Sequence, residues 1–229
     1  MTGITFAIAD LHGRFDLLSY AYAEMIDYAD GPATIVHLGD YVDRGPESRD
    51  IIEFLMDPDT TPSGWKRVVL KGNHEDMMSV CVRGQAEIGW WLGNGGGATL
   101  VSYGQKYRDQ VDRSVVPPAH LDWIDHLPLI HVDWHRVYVH AAVDPTIPLD
   151  QQKEQTLLWQ LYANDFPFGH GNYHVVHGHH QFADGPKLFD GRTDLDTFAW
   201  YTGRLVVGVF DDEKPGGPVD LLEVRGPAA

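Results

Sequence analysis

The sequence predicts an α/β protein, and two observations lead to that prediction. Three times in the amino-terminal part of the chain, an apolar strand segment is followed by a short polar motif and then by a helical pattern. This is the order of elements in βαβ units. The polar motifs also stand directly after the strands, and functional sites in open α/β sheets form at the carboxyl ends of strands. We therefore expect the chemistry at one edge of a sheet.

Each of these three units combines a short apolar strand with a helix. The helices are indicated by apolar residues at helical spacing, and the second begins with a proline, which is favoured in a first turn. The strand and helix of each unit are expected at Ile4–Ala9 and Phe15–Ala29, at Thr34–Leu38 and Pro46–Met56, and at Arg67–Leu70 and Glu75–Arg83.

The middle of the chain changes character. Residues from about 85 to 126 predict mainly helical structure, interrupted by glycines 93 and 95–97 and by Pro117-Pro118. Because strands resume after this segment, we expect one domain over 1–229 with an inserted helical cap at about 85–126. One further helix is expected at Gln155–Tyr162, and five further strands at Leu129–Val132, Arg136–His140, Val175–His177, Arg204–Val209 and Val219–Val224.

The composition excludes several functional classes. The net charge is 17 − 33 = −16, which opposes binding to nucleic acid or to an anionic membrane. The single cysteine, Cys81, excludes an internal disulfide and fits a reducing compartment. No basic leader and no apolar run of about 20 residues is visible. We expect a cytoplasmic protein, and the sequence leaves its oligomeric state open.

Polar residues that can bind metal cluster after the predicted strands. Divalent cations favour carboxylate, imidazole and carbonyl oxygen ligands. One ion can take Asp10, His12 and Asp40, and a second can take Asn73, His140 and His179, with Asp40 as a bridge. Two cations that share a carboxylate and a water are suited to phosphoryl transfer. Seven other histidines are expected on the surface or satisfied in the core, namely His37, His120, His126, His131, His135, His170 and His174.

Five motifs together resemble those of the calcineurin-like metallophosphoesterases. They are IADLHGRFDLL, GDYVDRGPES, LKGNHE, VHAAV and VVHGHH. More narrowly, the set is similar to the bacterial and phage form of the PPP serine/threonine protein phosphatases, and it covers nearly the whole chain. The resemblance implies a four-layer α/β/β/α sandwich with two central mixed sheets and a small helical cap.

The resemblance also implies a role for each motif residue. The two metal sites would take the ligands given above, with His74 as general acid held by Asp43. Arg44 would bind the phosphate of the substrate, together with Asn73. The implied reaction is in-line attack on phosphorus by a hydroxide that bridges two divalent metals. Manganese is favoured as the metal, with iron or zinc as alternatives.

Four segments depart from the family pattern, and they bear on substrate choice. A second phosphate-binding arginine is missing where the helix reads Leu158-Trp159-Gln160-Leu161, and Arg14 or Arg192 is a candidate replacement. His177 and His180 have no assigned role. The other departures are His140-Ala141-Ala142, Gly178-His179-His180 and Asp196-Thr197-Phe198.

The expected activity is metal-dependent hydrolysis of phosphomonoesters, on phosphoserine or phosphothreonine of proteins, with phosphotyrosine or a small phosphomonoester as further substrates. Two alternatives remain. A symmetrical diadenosine tetraphosphate hydrolase would share the metal core, although Asp43 and Glu75 favour the phosphatase. An inactive phosphatase-like scaffold is disfavoured because every proposed ligand and the proposed acid are present.

Overall fold

A computed structural model describes residues 3–106, 111–163 and 165–228. Two five-stranded sheets lie between layers of helices. The strands are β1 (Ile4–Ile8), β2 (Thr34–His37), β3 (Lys66–Val69), β4 (Ile130–Val132), β5 (Arg136–Val139), β6 (His174–His177), β7 (Lys187–Leu188), β8 (Arg192–Asp194), β9 (Arg204–Asp211) and β10 (Asp220–Arg225). The helices are α1 (Phe15–Tyr28), α2 (Ser48–Met56), α3 (Asn73–Val82), α4 (Ile88–Trp91), α5 (Gly97–Ser102), α6 (Pro118–Asp125), α7 (Glu154–Trp159) and α8 (Ala199–Thr202).

Both sheets are mixed. The first has the strand order β10-β9-β1-β2-β3, and the second has the order β4-β5-β6-β8-β7. In the first sheet β1, β2 and β3 run parallel, whereas β9 and β10 are antiparallel to their neighbours. In the second sheet β5, β6 and β8 run parallel, with β4 and β7 antiparallel at the two edges.

Successive residues of a strand face opposite sides of its sheet, so each sheet contributes to two hydrophobic cores. On β1, Phe6 and Ile8 face a core shared with the helices, whereas Ala7 faces a second core between the two sheets. This follows from the period of two in a strand. On β5, Tyr138 faces the core between the sheets, and Val137 joins an outer core with Leu157 of α7. The predicted α/β/β/α sandwich is confirmed.

Several predicted elements change at their ends. Helix α2 begins at Ser48, so Pro46 precedes it, and α7 ends at Trp159 instead of Tyr162. Helix α3 begins at Asn73, which places Asn73 and His74 in its first turn. Strands β7 and β8 lie where the chain was expected to be β-like from Pro186 onwards but were not placed individually, and helix α8 was not predicted. They have two to four residues each, too few for a periodic pattern to show.

The predicted cap segment is helical in most of its described residues. It contains α4, a π-helical turn over Leu92–Gly96, α5, a 3₁₀ turn over Arg113–Val115 and α6. Trp91, Leu100 and Ile124 from this segment belong to the same core as β1 and α1. This shared core supports one domain with an inserted segment, and we propose that organisation for the chain. Within the described residues, no helix combines the length and the apolar character that crossing a membrane requires.

Candidate dinuclear metal centre

The carboxyl ends of six parallel strands meet at the candidate centre. Strands β1, β2 and β3 lead into the motifs of Asp10, Asp40 and Asn73, and strands β5 and β6 lead into His140 and His179. The sixth strand, β8, leads into Asp196. Because parallel strands share one direction, their following loops converge at one edge, where open α/β sheets form their sites.

Asp40 lies at the middle of the cluster. Its Oδ2 is 3.4 Å from His12 Nε2, and its Oδ1 is 3.4 Å from His140 Nε2. Two groups of possible ligand atoms, each within 4.8 Å of one another, share this carboxylate; they are His12, Asp40 and His74, and Asp40, His140 and His179. The arrangement is that expected of a bridging ligand between two cations. Asn73 Oδ1 lies 2.8 Å from His140 Nε2, beside the second group.

Two histidines of the centre have one ring nitrogen bound to a backbone carbonyl, and a third lies against one of them. His12 Nδ1 donates to Val42 O at 2.8 Å, and His140 Nδ1 donates to Leu38 O at 3.0 Å. His179 Nδ1 lies 3.2 Å from His140 Nε2. The other nitrogens of His12 and His140 face the Asp40 cluster. Burial lowers the pKa of all three, to about 3 for His179. Such neutral rings with a fixed tautomer present a lone pair, as metal-binding histidines do.

Asp10 also fits a cation site. Its Oδ2 accepts a hydrogen bond from His179 N at 3.0 Å, whereas its buried Oδ1 has no partner. Asp196 is close enough for its charge to raise the pKa of Asp10, and both residues are 1% exposed. Burial raises the pKa of Asp196 to about 7, with a further contribution from the Asp40 charge. Two buried carboxyl groups this close are costly without a cation, so the donor set fits a metal.

His74 is paired with Asp43 next to this cluster. His74 Nδ1 donates to Asp43 Oδ2 at 2.7 Å. Burial alone would lower the pKa of His74, but the carboxylates of Asp40 and Asp43 raise it above its ordinary value. A histidine held in this way keeps its proton near neutral pH. His74 Nε2 points towards Asp40 Oδ2, 3.9 Å away.

The helical segment over residues 85–126 contacts Asp43 through two of its side chains. Trp91 Nε1 lies 2.9 Å from both carboxylate oxygens of Asp43, and Thr99 Oγ1 donates to Oδ1 at 2.7 Å. Gly95 has φ +107°, and a Cβ there would lie 2.8 Å from Arg44 Cγ. The glycines of this segment thus allow it to approach Arg44 closely.

Arg44 faces the centre with both terminal nitrogens. Its Nη1 donates to His12 Nε2 at 2.9 Å, and its Nη2 lies 3.2 Å from His74 Nε2. The two candidate replacements for the missing arginine are otherwise engaged. Arg14 makes two 2.9 Å bonds to Asp16. Arg192 is buried and donates to Phe166 O and to His177 Nε2.

Glu75 supports the loop that carries Asp40. Its carboxylate accepts four backbone N–H bonds, from Asp40, Tyr41, Val42 and Gly72, at 2.7–3.1 Å. Burial and the Asp40 charge raise the pKa of Glu75 to about 7, against the effect of these donors. The four bonds fix the path of the chain through the Asp40 motif that follows β2.

The backbone is unusual at the same residues. Seven non-glycine residues of the described chain have positive φ, and six of them are candidate site residues. Such conformations are uncommon outside glycine and concentrate at functional sites. The six are Asp10, His12, Asp40, Asp43, Arg44 and His179.

The two histidines without an assigned role have different surroundings. His177 is buried, with its ring nitrogens bonded to Gly178 O and Arg192 Nη1. This is a structural core histidine. His180 is partly buried, with its ring 4.4 Å from that of Phe182 and its Nδ1 without a partner.

The structure thus brings every predicted site residue to one edge of the two sheets and adds three that the sequence analysis missed. Asp196 was seen only as part of a changed cleft wall, and its position after β8 would have been the signal. Trp91 and Thr99 belong to a segment interpreted only as a cap.

Comparison with known proteins agrees with this geometry. The family model described as calcineurin-like phosphoesterase matches residues 5–215. This chain belongs to that family. Serine/threonine-protein phosphatase 2 of Escherichia coli is 30% identical over 205 residues, which cover 86% of this chain and 88% of that protein. The resemblance to bacterial PPP phosphatases is therefore confirmed.

Other relatives carry a different activity in their names. The symmetrical bis(5'-nucleosyl)-tetraphosphatase of Nitrosospira multiformis is 28% identical over 149 residues, which cover 64% of this chain and 46% of that protein. This chain therefore matches less than half the length of that relative. A solved structure provisionally described as a diadenosine tetraphosphatase has a TM-score of 0.68 and 21% identity, covering 100% of this chain and 96% of that one. At this identity the likeness shows the fold alone.

Proposed function

We propose that this member of the calcineurin-like phosphoesterase family hydrolyses phosphomonoesters on protein side chains, with phosphoserine and phosphothreonine as substrates and phosphotyrosine as a further one. The observation that carries the proposal is the His74–Asp43 pair, joined at 2.7 Å beside two overlapping groups of ligand side chains. An acid next to a metal centre is what hydrolysis of an alkyl phosphate requires.

Different residues would bind the metals and orient the phosphate. Asp10, His12 and Asp40 would hold one divalent cation, and Asn73, His140 and His179 the other, with Asp40 common to both. Bound cations lower the pKa of water and neutralise phosphate oxygens; manganese is the first choice, with iron or zinc as alternatives. Arg44, with Asn73 beside it, would orient the phosphate through the planar fork of its guanidinium group.

His74 would supply the proton that balances the reaction. Hydrolysis forms a bond from phosphorus to a water oxygen and breaks the bond from phosphorus to the ester oxygen. The departing alkoxide of serine or threonine takes a proton, which His74 Nε2 donates while Asp43 holds Nδ1. General-acid help of this kind contributes a rate factor of roughly 10²–10⁴.

The second candidate function is hydrolysis of dinucleoside tetraphosphates. The name of the Nitrosospira multiformis relative favours it. The greater coverage of the Escherichia coli phosphatase favours the protein substrate. Turnover of diadenosine tetraphosphate and of a phosphoserine peptide, compared at equal enzyme and Mn²⁺ concentrations, decides between the two.

The test of the mechanism is His74→Asn. We expect it to keep both metals and to lose more turnover on phosphoserine than on an aryl phosphate, because a phenolate leaves without much protonation. The measurement is kcat on both substrates with bound metal counted by elemental analysis. His126→Asn, at an exposed histidine, is the control. An equal loss on both substrates would exclude His74 as the acid.

A further inference from the structure

A cavity of about 430 Å³ lies directly beside Arg44. It is not part of the metal cluster, because none of the candidate metal ligands lines it. Arg44 forms the boundary between the two, since its terminal nitrogens face His12 and His74 while the residue also lines the cavity. The other main lining side chains are Arg14, Asp16, Glu47, Trp200 and Pro227.

Trp200 gives this cavity an aromatic wall. The Arg44 guanidinium carbon lies 5.5 Å from the centre of the Trp200 ring. Phe198 packs edge-on against the same ring at 5.2 Å, and it has φ +58°. Arg14 Nη1 donates to the carbonyls of Ala199 and Trp200 at 3.2 and 3.5 Å. Arg14 therefore braces the backbone that carries the wall.

The charges in the cavity cancel. Arg14 is paired with Asp16 through two 2.9 Å bonds, and Glu47 Oε2 accepts from Asp16 N at 3.4 Å. Two arginines thus face two carboxylates. A cavity of this kind has no surplus positive charge for a polyphosphate chain, which needs cationic side chains or metal. It suits an uncharged planar group attached to a phosphate that Arg44 already binds.

We propose that this cavity binds the aromatic ring of a phosphotyrosyl side chain, stacked on Trp200, so that the protein hydrolyses phosphotyrosine in preference to phosphoserine. The proposal rests on the proposed phosphatase function. In the proposed function the leaving oxygen lies near His74 Nε2, and Arg44 Nη2 is 3.2 Å from that nitrogen. Arg44 also lines the cavity, so a ring that extends from the leaving oxygen past Arg44 would reach Trp200.

The test compares two peptides of one sequence, carrying phosphotyrosine or phosphoserine. Trp200→Leu keeps apolar volume and removes the planar ring, and we expect kcat/KM to fall about tenfold for the phosphotyrosine peptide, mainly through KM, and less than twofold for the phosphoserine peptide. Trp200→Phe should keep most of the kcat/KM for the phosphotyrosine peptide that Trp200→Leu loses. Trp134→Leu, at a tryptophan that is 90% exposed, is the control.

Inhibition of the unmodified protein gives a second test that does not require the Trp200 variant to fold. Phenylphosphonate should inhibit about tenfold more tightly than methylphosphonate, because only the phenyl ring reaches Trp200. Equal inhibition by both compounds overturns the proposal. An equal loss on both peptides also overturns it, because Trp200 would then act only through Arg44.

Two further outcomes separate this inference from the proposed function. If diadenosine tetraphosphate loses more turnover than the phosphotyrosine peptide in Trp200→Leu, the cavity binds a purine and the inference is wrong. If the unmodified protein hydrolyses phosphoserine but not phosphotyrosine, the proposed function stands and the inference fails. If it hydrolyses neither peptide, the proposed function itself fails.

Discussion

Single residues at the candidate centre carry a conformational cost that only their neighbours can offset. Six of them have φ between +43° and +74°, and each such backbone costs about 1–3 kcal/mol. At Asp40 the offset is visible, because Glu75 accepts hydrogen bonds from its backbone N–H and from those of the next two residues. These bonds to Glu75 therefore hold the strained backbone of Asp40, and with it the Asp40 carboxylate, in position.

The shared position of Asp40 predicts unequal effects of two similar substitutions. Asp40→Asn should lose both metals and nearly all turnover, because its carboxylate belongs to both ligand groups. Asp10→Asn should weaken one metal only. Bound metal and kcat are measured for both variants under the same conditions. If Asp40→Asn retains two metals at the unmodified affinity, Asp40 is not the bridge.

Arg44 is expected to carry most of the phosphate binding. A charge-assisted hydrogen bond contributes about 1.5–3 kcal/mol, so Arg44→Ala should weaken inhibition by free phosphate roughly 10- to 150-fold. Arg14→Ala should have a smaller effect, because Arg14 is paired with Asp16.

Arg192→Ala serves as the comparison for a buried arginine. It should lower stability and leave phosphate inhibition unchanged in the folded fraction, because Arg192 bonds to Phe166 O and His177. The contradicting result is a weakening by Arg192→Ala as large as that by Arg44→Ala.

Among the elements, the helical segment over residues 85–126 connects its own packing to the His74–Asp43 pair. Helix α4 delivers Trp91 and α5 delivers Thr99 to Asp43, which in turn holds His74. The sequence showed this segment as helical, but it could not show that a tryptophan in it reaches a motif 48 residues away. Such a contact depends on tertiary packing, which periodicity does not record.

Trp91→Phe tests this link. It removes the indole N–H from Asp43, so turnover of phosphoserine should fall about tenfold and turnover of an aryl phosphate should fall less. Metal content should not change. Trp90→Phe is the matched control, since Trp90 is half-exposed and stacks on Trp159 instead. A loss that is equal on both substrates would mean that Trp91 serves packing alone.

The elements also show which parts of the fold the sequence could predict. The three βαβ units were predictable because each strand is apolar and each following motif is polar. Strand β8 was not, because Arg192, Thr193 and Asp194 look like a loop in isolation. They are buried only because β6 and β7 pair with them. Missing β8 meant missing Asp196, although the same strand-end rule would have found it.

For the whole molecule, the two sheets are joined by the site as well as by their core. Asp10 and Asp40 come from loops of the first sheet, and His140, His179 and Asp196 come from loops of the second. In the protein without metal, close carboxyl groups oppose this junction. A cation between them would replace repulsion by attraction, so metal binding and fold stability should be coupled.

This coupling predicts that divalent metal stabilises the fold. A ligand that binds only the folded state adds about 2.7 kcal/mol at 100 times its Kd. For a chain of this size that is a rise in Tm of about 5–10 °C. The measurement is thermal unfolding of chelator-treated protein with and without Mn²⁺. Asp10→Asn should reduce the rise, because it removes one of the close carboxylates. Asp27→Asn, at an exposed carboxylate of α1, should leave the rise unchanged. If Mn²⁺ shifts the Tm of unmodified protein and Asp10→Asn equally, Asp10 does not hold a cation between the sheets.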